Sequence, residues 1–281
     1  MEKIFKILSC PTCGFEINEE VESCTKCGRH IQHKNNRIYF THFNSEESDN
    51  LLFKVKHFVK IRTNIYDYLV AIFGPVFILP LKLSLNRFFK NYRKSFNQVI
   101  VNIGSGNTQI IEDIINLDII DYKNVKIISD LDRLPFRDNS IDILVNIAVL
   151  EHVKNPEGVV AEIERVLKPG GMVYSYIPFM QPFHASPFDF KRYSSEGIKN
   201  LYNKFEIISV KPTGGPVSAF LWIMQECFAL ILSFGIKPLY YLIFLILMVL
   251  TFPVKILDLI LIHHPLAKNI ASGFSIIVRK S

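Results

Sequence analysis

The chain has 281 residues, enough for one full α/β domain and a smaller module. Hydrophobic residues make up 49% of it, which excludes a chain too polar to form a packed core, and the formal net charge is +6. That charge is uneven, because residues 51–97 hold nine Lys and Arg side chains against the single acidic residue Asp67. A basic segment beside apolar ones suits anionic lipid headgroups, and RNA is the competing partner.

Two C-x-x-C pairs, each followed by a glycine and separated by ten residues, stand near the N-terminus. Four thiolates at this spacing can bind one tetrahedral metal ion, and the glycines let each turn fold back. We predict a zinc site formed by Cys10, Cys13, Cys24 and Cys27. The alternatives are a rubredoxin-like iron site, a pair of disulfides, or free thiols. We expect no cleavable signal peptide ahead of them, and a reducing cytoplasm around them.

Residues 41–50 are polar and acidic and predict a linker. The apolar run over 68–85 is interrupted by Gly74, Pro75 and Pro80, which argues against a continuous membrane span. Residues 81–96 show helical spacing of apolar side chains with basic ones opposite. Such a helix lies in a membrane interface or packs on a neighbouring domain, and the sequence leaves both alternatives open.

From Gln98 onward, short apolar runs alternate with helical patterns, which predicts a parallel sheet covered by helices. The first run breaks into a glycine loop, and further strands are predicted over 114–120, 125–129 and 172–178. Ligands of such sheets bind outside the carboxyl ends of the strands. The residues predicted at that edge are Gly104, Gly106, Asp118, Asp130 and Asn146.

Three further motifs follow in order: LPFRDNSID over 134–142, VLEHV over 149–153 and RVLKPGG over 165–171. With these motifs, residues 98–210 resemble the class I S-adenosylmethionine-dependent methyltransferases, in particular the type 11-like group. The N-terminal part is similar to zinc-ribbon modules that precede some of these enzymes. The resemblance implies an α/β fold with a Rossmann-like seven-stranded sheet. One departure is that Asn102 replaces the usual acidic residue and Thr108 the third glycine of the loop.

The resemblance also implies roles for single residues. The loop of Gly104, Ser105 and Gly106, preceded by Asn102, would approach the methionine end of S-adenosylmethionine. Asp118 would accept the ribose hydroxyls, and Asp130 with the N–H of Leu131 would contact the adenine. Asn146 completes the predicted cofactor-binding residues.

The segment after Pro178 resembles the part of related methyltransferases that covers the substrate side. A base is needed there only if the acceptor must lose a proton during methyl transfer. We predict His184 as that base, with Asp189 as its substitute.

Residues 217–262 are overwhelmingly apolar, and Lys237 and Pro238 divide them into two pieces of nearly membrane-spanning length. The alternative is a buried helix pair of a soluble protein. The flanking segments 205–211 and 273–279 are predicted as strands six and seven, so the apolar piece becomes a helical hairpin inserted between neighbouring strands.

The predicted organisation is a zinc ribbon (1–40), a linker with basic amphipathic helices (41–97), a methyltransferase domain (98–216), an apolar membrane-associated hairpin (217–265) and the last strand (266–281). We predict an S-adenosylmethionine-dependent methyltransferase at the cytoplasmic face of a membrane. Its acceptor would be a lipid-linked or membrane-bound small molecule or glycan, with membrane lipids rather than nucleic acid as partners. The alternatives are an RNA methyltransferase that uses the ribbon and basic belt, and a non-catalytic membrane scaffold with a degenerate cofactor site.

Overall fold

The computed structural model describes residues 2–41, 73–95, 97–184 and 188–281, which form one sheet with helices around it. The strands are β1 (Gln32–Lys34), β2 (Arg37–Tyr39), β3 (Ile100–Ile103), β4 (Ile115–Asp118), β5 (Ile127–Ile128), β6 (Ile141–Ile147), β7 (Leu167–Pro178), β8 (Glu206–Gly214) and β9 (Gly273–Arg279). The α-helices are α1 (Glu2–Phe5), α2 (Leu79–Tyr92), α3 (Pro156–Val166), α4 (Ser195–Leu201), α5 (Pro216–Leu232), α6 (Lys237–Thr251) and α7 (Asp258–Leu261). Three 3₁₀ segments cover Leu150–His152, Phe252–Leu257 and Ala267–Asn269.

The strands lie in the order β1-β2-β5-β4-β3-β6-β7-β9-β8. The strands from β2 to β7 pair in parallel, whereas β9 is antiparallel to both of its neighbours, β7 and β8. Central strands such as β3 and β6 are almost wholly buried, as expected where helices cover both faces of a parallel sheet. The predicted Rossmann-like α/β fold is therefore confirmed.

The described sheet has nine strands instead of the predicted seven: the seven strands β3 to β9 follow Gln98, and β1 and β2 of the N-terminal module are added to them. The N-terminal module does not stand apart: its hairpin β1–β2 joins the sheet, with Ile38 opposite Ile127 in a parallel pair. The apolar helices consequently lie between β8 and β9 of this sheet, and not between its sixth and seventh strands. The two flanking strands are neighbours, paired antiparallel from Glu206 opposite Arg279 to Gly214 opposite Gly273.

The amphipathic helix α2 packs on the catalytic part of the sheet. It buries Leu85, Phe88 and Phe89, and the ring centroid of Phe88 lies 5.3 Å from that of Tyr174 on β7. The Tyr174 hydroxyl also donates to Ser84 Oγ at 3.0 Å. Of the two alternatives for this helix, packing on the domain is the one observed. Most of the predicted linker, the basic residues over 54–62, the start of the apolar run and Phe96 lie outside the described residues.

The apolar helices α5 and α6 contact each other along the chain's most hydrophobic stretch. α5 turns one side toward the domain and buries Leu221, Trp222 and Gln225 there, whereas α6 has no buried residue. The helical run Lys237–Leu261 has 25 residues, a mean hydropathy of 2.4 and only 11% of its most apolar window buried. By length and composition this run could cross a membrane.

Candidate functional site

The four N-terminal cysteines converge on one point. The Sγ atoms of Cys10 and Cys27 are 3.6 Å apart, as are those of Cys13 and Cys24, and all four lie within 4.8 Å of one another. Zinc–sulfur bonds of about 2.3 Å in a tetrahedron place the sulfurs about 3.8 Å apart, so the cluster fits this metal. The separations exclude the disulfide alternative for these four, because a disulfide needs about 2.05 Å.

Two backbone turns hold the cysteines in place. The N–H of Gly14 donates to the carbonyl of Cys10, and that of Gly28 to the carbonyl of Cys24, each at 2.8 Å. Both glycines have a positive φ, 73° and 72°, which side chains rarely adopt. The predicted role of glycine after each C-x-x-C pair is therefore what the geometry requires.

At the carboxyl end of β3 the chain enters the predicted glycine loop. Gly104 has a φ of 61°, and a Cβ there would lie 2.6 Å from Cγ2 of Val149. Val149 directly precedes the 3₁₀ segment Leu150–His152, which follows β6. The glycine thus lets two neighbouring strand ends approach each other closely at this edge of the sheet.

Asp118 ends β4 beside this loop. Its carboxylate accepts hydrogen bonds from the N–H groups of Gly106 at 2.8 Å and Ile120 at 2.9 Å. A carboxylate oxygen can accept more than one hydrogen bond, so a carboxylate held in this way is suited to accept two adjacent hydroxyl groups. This chemistry fits the ribose of S-adenosylmethionine, with the glycine loop beside it.

The other predicted cofactor residues occupy two kinds of position. Ser105 in the loop is buried, and Asp130 and Leu131, just after β5, are half-buried. Asn102 and Asn146 are buried in the sheet itself, where the Asn102 amide donates to Asn116 at 3.1 Å and the Asn146 amide to Ser175 at 2.7 Å. Their amides join neighbouring strands, and contact of either with the cofactor stays a prediction.

The structure brings together the two predicted catalytic residues. The backbone N–H of His184 donates to Asp189 Oδ2 at 2.8 Å, and Arg192 forms an ion pair with the same carboxylate. Burial alone would raise the pKa of Asp189, but the hydrogen bonds from Arg192 and the His184 N–H lower it. Asp189 is thus a paired anion that holds the loop, which leaves His184 as the better candidate for a base.

Sequence reasoning missed Glu151, the buried centre of this region. Its side chain is 0% exposed, and neither carboxylate oxygen has a hydrogen-bond partner among the described residues. The Nε2 atoms of His152 and His184 lie 3.7 Å and 4.0 Å from its Oε1. Burial raises the pKa of the Glu151 carboxyl to about 8. The VLEHV motif contains this residue, but its proximity to His184 is a product of the fold.

The parallel sheet, the glycine loop and the acidic residue after the second strand of the catalytic part define a class I S-adenosylmethionine-dependent methyltransferase domain. Residues 105–175 match the family described as "Methyltransferase domain". The chain therefore contains a methyltransferase domain of this class, and its predicted recognition is confirmed.

Two curated relatives illustrate how local the sequence similarity is. A sterol 24-C-methyltransferase of Schizosaccharomyces pombe is 42% identical over 60 residues, which are 21% of this chain and 16% of the relative. An uncharacterized methyltransferase of Mycobacterium avium is 47% identical over 51 residues, which are 18% of this chain and 20% of the relative. The chain thus matches about a sixth to a fifth of these proteins.

Solved structures similar to this chain include a putative sarcosine dimethylglycine methyltransferase from Galdieria sulphuraria, with a TM-score of 0.48 and 14% identity over 72% of this chain and 85% of that one. Phosphoethanolamine N-methyltransferase 2 from Haemonchus contortus, solved with S-adenosyl-L-methionine, has a TM-score of 0.46 and 16% identity over 83% of this chain and 60% of that one.

Proposed function

We propose that the chain is an S-adenosylmethionine-dependent methyltransferase that acts at a membrane on a lipid-linked or membrane-bound small molecule or glycan. The observation that carries the membrane part is α6, an apolar helix with no buried residue. Leaving so much apolar surface in water is costly, at roughly 25 cal/mol for each Å². A bilayer would remove that cost.

The polar groups of the helix pair support this proposal by facing each other. Gln225 on α5 donates to Thr251 at the end of α6, with 2.7 Å between Nε2 and Oγ1. Glu226 accepts from the Trp222 indole at 3.2 Å and from the Tyr240 hydroxyl. Polar side chains inside a membrane are tolerated where they pair within a bundle, with apolar side chains outside.

The two ends of the helix pair differ in polarity and burial: the base has buried polar contacts, and the tip has an exposed apolar side chain. At the base, Asp258 accepts from the N–H of Val217 at 2.8 Å and that of Ser218 at 3.0 Å, and Lys255 donates to the carbonyl of Gly74 at 2.8 Å. The Asp258 contacts join the two ends of the hairpin to each other, and the Lys255 contact joins the hairpin to the segment that precedes α2. At the tip, by contrast, Phe234 is 83% exposed. We infer that the tip enters the bilayer and the base stays at its surface.

A basic cavity of about 560 Å³ lies beside the base, between α2, α4, β8 and the segment after α7. Its basic lining residues are Arg87, Lys199, Lys211, His263, His264 and Lys268, and Glu196 is its acidic one. Cationic side chains next to a membrane-inserted element attract anionic headgroups. We therefore propose that lipid headgroups lie at the base of the hairpin, next to this cavity.

When bound, S-adenosylmethionine supplies a methyl group already activated by its sulfonium, so the protein's main task is to place the acceptor. Gly104, Gly106 and Asp118 would bind the cofactor at the sheet edge. On the acceptor side, the carbonyl of Pro182 lies 3.0 Å from His184 Nδ1, so that nitrogen carries the hydrogen. In this proposal Nε2 of His184 would accept the proton of the acceptor.

Flotation with vesicles containing phosphatidylglycerol tests the membrane proposal. We expect the full-length protein to float with the vesicles, and a variant with Leu242→Gln, Leu245→Gln and Leu250→Gln to remain at the bottom of the gradient. These three side chains are 53%, 52% and 68% exposed, so replacing them leaves the core intact. Phe15→Gln with Ile207→Gln is the matched control for loss of exposed apolar side chains elsewhere. A wild-type protein that stays soluble without detergent and does not float would contradict the proposal.

Methyl transfer from labelled S-adenosylmethionine tests the acceptor class. Membrane lipid extract and total RNA are offered separately to the full-length protein, and we expect label in the lipid fraction. Label in RNA alone would favour the nucleic-acid alternative, and a protein that binds no S-adenosylmethionine would favour the scaffold.

A further inference from the structure

Three polar side chains converge near the 3₁₀ segment that follows β6. They are the fully buried carboxylate of Glu151 and the Nε2 atoms of His152 and His184. One ligand atom from each residue lies within 4.8 Å of those of the other two. A buried carboxylate with no hydrogen-bond donor is costly; protonation offsets that cost, and a bound cation would do so as well.

The two imidazoles are held so that their Nε2 atoms lie toward the carboxylate. His152 Nδ1 lies 2.5 Å from the carbonyl oxygen of Phe188, and His184 Nδ1 lies 3.0 Å from that of Pro182. Because a carbonyl only accepts, each Nδ1 carries a hydrogen, and each ring in its neutral form would bind a metal through Nε2. Arg192 also lies 3.1 Å from His184 Nδ1, but its guanidinium has stronger acceptors in Asp189 and the Pro182 carbonyl.

This arrangement is the usual one for metal-binding histidines, whose second nitrogen donates to a backbone carbonyl or carboxylate. Ligand bonds of about 2.0–2.2 Å hold two ligand atoms at most about 4.4 Å apart. The observed separations of 3.7 and 4.0 Å from Glu151 Oε1 are within that reach. Two imidazoles and one carboxylate suit a divalent transition metal and leave coordination positions open.

We propose that Glu151, His152 and His184 bind a divalent transition-metal ion, separate from the four-cysteine site, with open positions toward the acceptor side of the pocket. Trp222 of α5 packs beside this site, with its ring centroid 5.4 Å from that of His184. The open positions suit an oxygen-bearing acceptor, since a metal polarises such a group and lowers the pKa of its hydroxyl. With a metal bound to Nε2 of His184, that atom could not act as the base, and the metal would activate the acceptor instead.

Mn²⁺ binding to the chelator-treated full-length protein, followed by electron paramagnetic resonance, tests this site. Mn²⁺ prefers oxygen and imidazole ligands and binds thiolate clusters poorly, so the cysteines do not interfere. We expect about one Mn²⁺ per chain, and a loss of affinity of at least about tenfold in Glu151→Gln. Glu157→Gln is the matched control, since Glu157 is exposed, pairs with Lys191 and lies outside the pocket.

The melting temperature distinguishes lost binding from a damaged fold. Mn²⁺ should raise it in the wild type and in Glu157→Gln but leave it unchanged in Glu151→Gln. Should Glu151→Gln not fold, His184→Gln, at a half-buried position, replaces it with the same expected loss. A wild type that binds no Mn²⁺, or a folded Glu151→Gln or His184→Gln that binds it as tightly as the wild type, would overturn the proposal. No cofactor or acceptor is needed, so this outcome does not depend on the proposed function.

Discussion

At the scale of single residues, the Asp118 carboxylate joins two backbone segments by hydrogen bonds. Its carboxylate accepts from Gly106 in the glycine loop and from Ile120 beyond β4, so the loop and the strand end form one unit. The two backbone N–H groups fix the carboxylate before any ligand binds. Preorganisation of this kind strengthens binding because little order is lost on complex formation.

Replacing Asp118 by Ala should weaken S-adenosylmethionine binding by about 1–3 kcal/mol, because charge-assisted hydrogen bonds to the ribose are lost and the loop is released. Isothermal titration calorimetry measures the change, and Asp132→Ala at an exposed position nearby is the control. Equal affinity in the two variants would mean that the cofactor does not lie at this edge of the sheet.

At the scale of elements, the N-terminal module is an extension of the sheet. Strand β2 pairs with β5, and Tyr39 donates its hydroxyl to Asp121 at 2.8 Å. On the other side of the module, Arg137 donates to the carbonyls of Leu8 at 3.0 Å and Phe5 at 3.1 Å. Covering the edge of β5 also protects a strand that would otherwise present unpaired backbone groups.

The metal content of the module is directly measurable. Cys24→Ser should lower the zinc content by one ion per chain, because three thiolates no longer complete a tetrahedral site. Elemental analysis by mass spectrometry measures it, and Cys227→Ser is the matched control, since Cys227 is the one cysteine outside the cluster and lies exposed on α5. A wild type that holds no metal at the cysteines when purified in the reduced state would refute the zinc assignment.

Arg137 provides a test of how firmly the module is joined to the catalytic part. Arg137→Ala should lower the free energy of unfolding by about 1–2 kcal/mol, since two backbone carbonyls lose their donor and the ion pair with Glu16 is broken. Urea denaturation measures the change, with Lys154→Ala at an exposed position as control. If both variants are equally stable, the module is held mainly by the β2–β5 pairing.

At the scale of the whole molecule, the apolar hairpin leaves and re-enters the sheet at one place. Gly214 and Gly273 face each other at the end of the β8–β9 pair, and the N–H of Ser272 donates to the carbonyl of Gly214 at 3.1 Å. Both ends of the hairpin are therefore on the same side of any membrane it enters. An even number of crossings, or a shallow dip, is the only arrangement that this pairing allows.

Deleting 217–262 and joining the ends with a short Gly/Ser linker should give a protein that is soluble without detergent. We expect S-adenosylmethionine affinity to stay within about threefold of the wild type, or about 0.7 kcal/mol, because the glycine loop and Asp118 lie on other strands. Gel filtration and calorimetry measure the two properties. An unfolded product would show that the helices belong to the core of the domain.

Several features were available from the sequence because they depend on short stretches of chain. The spacing of the cysteines and glycines specifies two turns, and the four sulfurs do converge. The strands predicted over 114–120 and 125–129 contain β4 and β5, and the strand predicted over 172–178 is the second half of β7. The start of α3 illustrates how local these signals are. The Asn155 side chain accepts a hydrogen bond from the N–H of Gly158, and Pro156 is the first residue of the helix.

Only the tertiary structure decided which distant segments meet. Glu151 and His184 are 33 positions apart, and their contact depends on the path of the chain after β7. The joining of β2 to β5 likewise depends on an unpaired strand edge, which local propensity does not reveal. Local hydrogen bonds and periodicity are encoded residue by residue, whereas a buried carboxylate between two imidazoles and a nine-stranded sheet arise from packing between segments that share no sequence pattern.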